Sequence, residues 1–356
     1  MNLLSTFGYL LLTLLMLSVL VFVHELGHYL TARLCGVTVH EFSIGMGKRL
    51  GGWTSKKTGI QYSIRLLPIG GFVAMAGEDV GGEGSEDPNA FYRKNVWQRI
   101  LILAAGAGMN ILTGFLAMLV LTAGMTFSGY RLPSTQVAQF TAEATSYVCG
   151  LEPGDIIQKI DGVRVHTGYD LQYEIMNHGH EPVDIIVERD GQRVLVPDVI
   201  FPTVTQGETV FGEMDFRVMA MEGTPWNILK TAVFRSGSSI KMVFDSIGGI
   251  ITGRYSLSDL SGPIGVSSTV SEVAHQPMAG WNILYLFAVI AMNLGIMNLL
   301  PIPALDGGRL FFRFIEVLRF GKPIKPQLEA QIHGVGMFLL LLLTAIIACK
   351  DIFALF

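Results

Sequence analysis

Residues 3–34, LLSTFGYLLLTLLMLSVLVFVHELGHYLTARL, are the stretch from which the rest of this chain can be read. Leu3 to Val23 holds no charged residue, and the apolar character continues through His24-Glu25 to Leu34. A membrane-spanning helix needs roughly 20 mainly apolar residues, so a span is predicted here. A cleaved signal peptide is the competing reading. It is disfavoured because no Lys or Arg precedes the apolar run, the run is too long, and no A-x-A-like site follows it. Near its end lies His24-Glu25-Leu26-Gly27-His28, an H-E-x-x-H pattern. On a helix, residues i and i+4 share a face, so both imidazoles can reach one metal ion, with Glu25 beside them as general base. Ionisable side chains in a membrane span are costly and functional by default. A structural histidine would explain one of these three groups, not all of them.

The whole composition agrees with a membrane solvent. Of 356 residues, 50% are hydrophobic and 15% charged, against about 25% charged in soluble domains, and the mean hydropathy is +0.48. Disorder is excluded, since it needs low hydrophobicity and high charge. A net charge of −4 argues against a nucleic-acid partner. Cys35, Cys149 and Cys349 lie far apart with no CxxC, which excludes a disulfide scaffold or a thiolate metal site. Further spans are predicted at about 97–125, rich in small residues that let helices pack closely, at about 281–300, stopped by Pro301 and Pro303, and within 332–348.

Basic residues near span ends mark cytoplasmic loops. Arg33, Lys48, Arg49, Lys56, Lys57, Arg65, Arg93, Lys94 and Arg99 lie between spans one and two. Arg309, Arg313, Arg319, Lys322 and Lys325 lie between spans three and four. Both loops are expected inside, and the long segment between spans two and three outside, as are both termini. That outer segment reads as a small β-rich domain. Strands are expected at 156–160, 183–189 and 193–196, with hairpin turns at Asp161-Gly162 and Asp190-Gly191 and a helix near 169–176. Its Gly-Leu-x-x-Gly-Asp-x-Ile-x-x-Ile-Asp-Gly-x-x-Val pattern resembles a PDZ domain of the permuted bacterial type. Thr224-Pro225-Trp226 reads as a helix start. Lys230, Arg235, Lys241 and Asp245 fall on one side of that helix and Trp226, Leu229, Val233, Ile240 and Phe244 on the other. This pattern favours a helix on the membrane surface over a fifth span, with a soluble helix packed on the outer domain as the alternative.

A catalytic zinc needs a third protein ligand and an open position for water. The extended form H-E-x-x-H-x-x-G-x-x-H would supply it nearby, but Thr31 and Leu34 stand where Gly and His are required. Asp306 is the alternative, in Asn298-Leu299-Leu300-Pro301-Ile302-Pro303-Ala304-Leu305-Asp306-Gly307-Gly308. The prolines interrupt the helix and the glycines permit unusual backbone. Such backbone at membrane depth is tolerated only where it is protein-buried or lines a wet cavity. The remaining histidines, His333 among them, show no ligand spacing with a partner acid.

The pairing of H-E-x-x-H with N-x-x-P-x-P-x-L-D-G resembles the site-2 protease family of intramembrane zinc metalloproteases, its bacterial RseP type, with a single PDZ-like unit. The likeness extends to Gly45-Met46-Gly47, Leu67-Pro68-Ile69-Gly70-Gly71-Phe72 and Leu260-Ser261-Gly262-Pro263-Ile264-Gly265. Asn110 occupies the place of the family's G-P-x-x-N, although Ala107 stands where proline is expected. The resemblance implies Zn2+ held by His24, His28 and Asp306, Glu25 as base, and Asn298, with Gly45 and Gly47, in contact with substrate. It implies cleavage of single-span membrane proteins, such as anti-sigma factors or signal-peptide remnants, in regulated intramembrane proteolysis. The lipid bilayer is a further partner, as is a peptide ligand of the PDZ-like unit. In the inner loop, 37–44 and 60–67 read as strands flanking a Gly/Lys-rich turn region, an edge to which an unwound substrate can add as a strand.

The expected fold is thus a polytopic α-helical membrane protein of about four transmembrane helices with a membrane-associated β-hairpin and an inserted extracytoplasmic β-rich domain. Its expected parts are a first membrane half (1–126), the PDZ-like domain (127–205), a linker with an amphipathic surface helix (206–280) and a second membrane half (281–356). A prenyl-protein protease is the rival enzyme class, but it typically draws its third ligand from a downstream Glu motif. A membrane-anchored PDZ receptor with a dead metal site would lack one of His24, Glu25, His28 or Asp306, and all are present.

Overall fold

A computed structural model describes residues 3–78, 86–207, 209–256 and 262–353. The elements run α1 (Leu3–Leu34), β1 (Val39–Thr54), β2 (Gln61–Met75), α2 (Val96–Phe127), β3 (Leu132–Phe140), α3 (Thr145–Val148), β4 (Ile156–Ile160) and β5 (Val163–Arg164). There follow α4 (Gly168–His178), β6 (Val183–Arg189), β7 (Gln192–Val199), β8 (Thr203–Gln206), β9 (Thr209–Gly212), β10 (Phe216–Met221) and α5 (Pro225–Thr252). The chain ends with α6 (Pro263–Ala274), α7 (Ala279–Leu299), α8 (Asp306–Leu318) and α9 (Pro326–Phe353). Among the described residues, four helical stretches are long and apolar enough to cross a membrane: Phe7–Leu34, Val96–Phe127, Ala279–Leu299 and Gln327–Asp351. They coincide with the four expected spans. Two compact units separate, one from Met1–Gly114 with Leu260–Phe356 and the other Phe115–Asp259.

In the first unit, small residues set how closely helices approach. Gly27 of α1 lies against the Ala105 carbonyl of α2, and Gly295 of α7 lies against the Ala107 carbonyl and Ile111. Gly114 of α2 meets Met292 and the Ala288 carbonyl in return. Any side chain at these points would push the backbones apart, so small residues stand where membrane helices cross. Ala107, Ala288 and Ala291 are fully buried. Glu316 of α8 forms a buried ion pair with Arg99 of α2 (2.5 Å) and a second with Arg313 (3.0 Å). Glu329 of α9 pairs with Arg313 in turn. Losing one partner of a buried pair costs about 3–5 kcal/mol, so this cluster ties α8 firmly to α2.

β1 and β2 form an antiparallel ribbon that folds back on itself. Arg49↔Arg65 to Thr54↔Gln61 pair at the tip, and Val39↔Met75 to Ile44↔Gly71 at the base. Both strands outrun the expected limits. Gly51, Gly52, Trp53 and Thr54, read from sequence as turn, pair with Ile64, Ser63, Tyr62 and Gln61. Glycine's turn preference is overridden by the ladder, and the chain reverses at 55–59, closed by Gly59 N–H donating to the Ser55 carbonyl (2.8 Å). Phe42, Val73 and Met75 of the ribbon base share a core with Ala32, Ile102 and Leu310.

The second unit is built on a sheet in the order β10-β3-β4-β6-β7, with β5 on β4. Its core gathers Val137, Leu151, Ile157, Ile160, Leu171, Ile175, Ile185 and Val187. Asp161-Gly162 and Asp190-Gly191 all take positive φ (46°, 81°, 52° and 74°), the conformation that tight hairpin turns need. Asp155 is buried and pairs with Arg189 (2.7 Å), which accounts for the acid in the Gly-Asp turn. Strand β10 comes from the stretch read as linker.

α5 begins as expected, with Thr224 capping Asn227 N–H (3.2 Å) and Pro225 in the first turn. Its polar side, however, is occupied by α4. Lys241 donates to both Glu174 carboxylate oxygens (2.6 and 2.7 Å), and Tyr173 donates to Asp245 (2.6 Å). Burial, with Asp245 beside it, pushes the Tyr173 hydroxyl well above its usual range. Arg235 stacks over the Tyr169 ring. Charged residues on one face had suggested solvent, whereas they satisfy buried partners on a neighbouring helix. Trp226, Val233 and Phe244 remain exposed on the other face. His178 and His180 lie against Glu174 and Arg254.

Candidate metal centre

His24 and His28 lie one turn apart on α1, and both are nearly buried (9% and 7% exposed). Their Nε2 atoms are 3.1 Å apart, and Asp306 Oδ2 lies 3.0 Å from the first and 3.2 Å from the second. His28 Nδ1 is 2.8 Å from the Ile102 carbonyl. A carbonyl only accepts, so Nδ1 carries the proton, and in the neutral ring this leaves the Nε2 lone pair for a metal. Two imidazole nitrogens and a carboxylate oxygen therefore converge on one point, which calls for a positive charge between them, either a proton or a metal ion. With metal–ligand bonds of about 2.0–2.1 Å, the edge of a tetrahedral site is about 3.3 Å. The observed spacings are close to that edge, so these residues fit a zinc ion.

The elements place these groups for local reasons. Gly106 of α2 faces the cluster, and a Cβ there would come within 2.8 Å of His24 Cε1 and overlap His28 Nε2. Asp306 is the first residue of α8. Gly307 and Gly308 let that helix start close against the end of α7, where a side chain would overlap the Leu299, Leu300 and Ile302 backbone. Glu25 is half-buried and flanked by His24, His28 and Asp306. A Cβ at Gly71 would lie 3.1 Å from Glu25 Cγ. The base of β2 thus passes directly beside the carboxylate.

The other sequence candidates are placed differently. Asn298 is half-buried in the last turn of α7 and makes no side-chain hydrogen bond among the described residues. Gly45 and Gly47, both at φ 84°, lie where β1 crosses β2, with Gly45 against the Arg65 and Leu67 carbonyls. They shape the ribbon. Asn110 is fully buried, its amide 3.5 Å from His24 Nδ1. Of the 260–265 stretch, Leu260 and Ser261 lie outside the described residues. Gly71, Gly106 and His333 were not singled out as site residues by sequence reasoning. Gly71 stands in a quoted motif, but nothing in a glycine's neighbours along the chain tells what its missing side chain makes room for.

Gly106→Ala and Gly108→Ala provide a controlled pair on one helix. Both gain helix propensity, but a Cβ at Gly108 meets nothing within 4 Å. We expect Gly106→Ala to be about 1–3 kcal/mol less stable than Gly108→Ala in detergent unfolding, the usual cost of overpacking. Equal stability would mean that the helices stand further apart at Gly106 than described.

The fold and site together define a multi-pass membrane protein with a two-histidine, one-carboxylate centre and an adjacent glutamate. Residues 12–343 match the family model described as Peptidase family M50. The chain is 30% identical to zinc metalloprotease RasP of Geobacillus kaustophilus, over 94% of this chain and 95% of that protein. It is 29% identical to the regulator of sigma-W protease RasP of Bacillus subtilis, over 95% and 96%. A Clostridium acetobutylicum chain provisionally named a zinc metalloprotease is 33% identical over 94% of each. The chain belongs to peptidase family M50, the site-2 proteases.

Proposed function

We propose that this protein is a zinc endopeptidase that cleaves transmembrane segments of single-span membrane proteins in regulated intramembrane proteolysis. The observation that carries the reading is the convergence of His24 and His28, on an apolar helix long enough to span a membrane, with Asp306 at the start of α8, beside Glu25. A zinc ion held by His24, His28 and Asp306 would supply Lewis acidity, lowering the pKa of an adjacent water to about 7 and polarising a scissile carbonyl. Glu25 takes the proton of the attacking water and returns it to the leaving amine. The buried histidine pair holds its geometry through the Ile102 carbonyl and the close face of Gly106. A substrate helix hides its carbonyls in its own hydrogen bonds and must unwind. Strand addition along the base of β2, which passes Glu25 at Gly71, offers replacement partners for the freed backbone. The Bacillus subtilis relative's name, regulator of sigma-W protease, supports substrates of the anti-sigma-factor type. Signal-peptide remnants present the same single apolar helix.

The centre lies toward the cytoplasm, following the basic loops, and the sheet-bearing unit lies outside. That unit, PDZ-like over 127–205, binds a peptide end or admits substrates by size, while the exposed stripe of α5 rests on the lipid surface. The test is metal analysis of detergent-purified protein, combined with cleavage of a model single-span substrate. Wild type should hold one zinc and cleave, and His24→Ala or His28→Ala should lose both metal and activity. Stoichiometric zinc in either variant would show that the ligand set is wrong. For orientation, single cysteines placed at Lys56 and at Gly191 in a cysteine-free background are labelled with an impermeant reagent from outside. Gly191 should react and Lys56 should stay protected; the reverse pattern overturns the topology.

A further inference from the structure

The turn that delivers Asp306 is held from an unexpected side. Between α7 and α8, Pro301 and Pro303 have no N–H to place. Ile302 N–H donates to the Leu300 carbonyl (2.6 Å) and Leu305 N–H to the Ile302 carbonyl (3.2 Å). Ala304 N–H leaves the turn and donates to His333 Nδ1 of α9, 3.0 Å away. Ala304 also sits at φ 81°, a left-handed conformation that costs a residue with a Cβ and persists only where the surroundings enforce it. Three residues on, along the same face of α9, Gly336 lies so close to Pro303 that a Cβ would come within 2.9 Å of its carbonyl carbon and oxygen. The His333 ring is in turn fixed edge-on against buried Phe312 of α8 (5.5 Å between centroids, 61°).

We propose that His333 is a positioning residue for the metal centre. By accepting the Ala304 N–H it holds the strained turn, and Asp306, two residues later, is thereby aimed at His24 and His28. This rests on the zinc-peptidase reading above and adds a function for the last span. α9 acts as the buttress of the third ligand, although none of its most apolar window is buried. Sequence spacing gives no hint of this, because His333 accepts a backbone N–H from a turn 29 residues away along the chain.

The test compares zinc affinity of the full-length chain in detergent, by competition with a chromophoric chelator. Outer-shell partners of metal ligands are worth about 10–100-fold in affinity, so His333→Leu should bind zinc at least tenfold more weakly. His333→Asn places its Oδ1 where Nδ1 stands and should stay within about threefold of wild type. Adding Ala304→Gly, which removes the penalty at φ 81°, should restore part of the loss in His333→Leu. Zinc affinity of His333→Leu within about threefold of wild type, or His333→Asn as weak as His333→Leu, overturns the proposal. If His333→Leu is not recovered from membranes, His333→Asn against His333→Gln decides. Asn should bind at least tenfold more tightly, and equal affinities sink the idea. Wild type that binds no zinc fails the peptidase reading itself, and is distinguished because no variant ratio enters.

Discussion

Asp306→Asn is expected to lose zinc affinity by about two orders of magnitude while still inserting into the membrane and keeping the sheet of the second unit. Closed zinc sites carry apparent binding free energies of about 10–16 kcal/mol. Shared over four ligands, one of them accounts for about 3 kcal/mol, or roughly a hundredfold. The charge is decisive because Asp306 Oδ2 faces both imidazole nitrogens at 3.0 and 3.2 Å. An amide in its place can turn its NH2 toward those lone pairs, which relieves the crowding without metal. In alkaline buffer, where both imidazoles are neutral, the metal-free variant should therefore unfold at a higher temperature than the metal-free parent. Asp306→Glu should keep some metal with poor geometry and low activity. Equilibrium dialysis with zinc analysis reads the first effect and thermal unfolding after chelation the second. Normal zinc content with normal cleavage would reduce Asp306 to a turn residue.

Glu25→Gln should separate metal binding from chemistry. The side chain lies beside the cluster without being part of it, so zinc content should match wild type. The amide cannot take or return a proton, and a positioned acid–base group typically contributes about 10²–10⁴-fold. Cleavage of a single-span substrate should fall by at least that lower factor. Activity within about tenfold of wild type would remove Glu25 from the mechanism. The two variants differ in kind: one loses the metal and hence activity, the other keeps the metal and loses activity alone.

Much of this protein was legible along the chain, where the relevant physics is local. Apolar runs long enough to cross a bilayer marked four helices, since the membrane demands continuous hydrophobicity and internally satisfied backbone. Asp-Gly pairs marked hairpin turns, because positive φ is a property of one or two residues. The i, i+4 spacing of His24 and His28 placed both on one face before any fold was known, and the intramembrane cost of Glu25 made all three stand out. The ribbon's true reversal at 55–59 was missed because glycine serves both turns and ladders, and pairing across the ribbon decided between them.

Charge on one face of α5 was legible, but its partner was not. Lys241 meets Glu174 and Asp245 meets Tyr173 across some 70 residues of chain. Asp306 could be proposed from its setting, but its meeting with His28 across 278 residues is a tertiary fact. It depends on Gly27, Gly114 and Gly295 letting α1, α2 and α7 touch. Gly106, Gly71 and His333 became visible only in the folded chain. Two act by what they leave empty, and the third by accepting a backbone N–H from the turn between α7 and α8. Sequence by itself determined which residues could ligate a metal and which segments are apolar enough to cross a membrane, because hydrophobicity and helical period are carried by near neighbours. Only the tertiary structure decided which of them meet, because close packing between distant segments depends on shape at the contact and leaves no periodic trace in the chain.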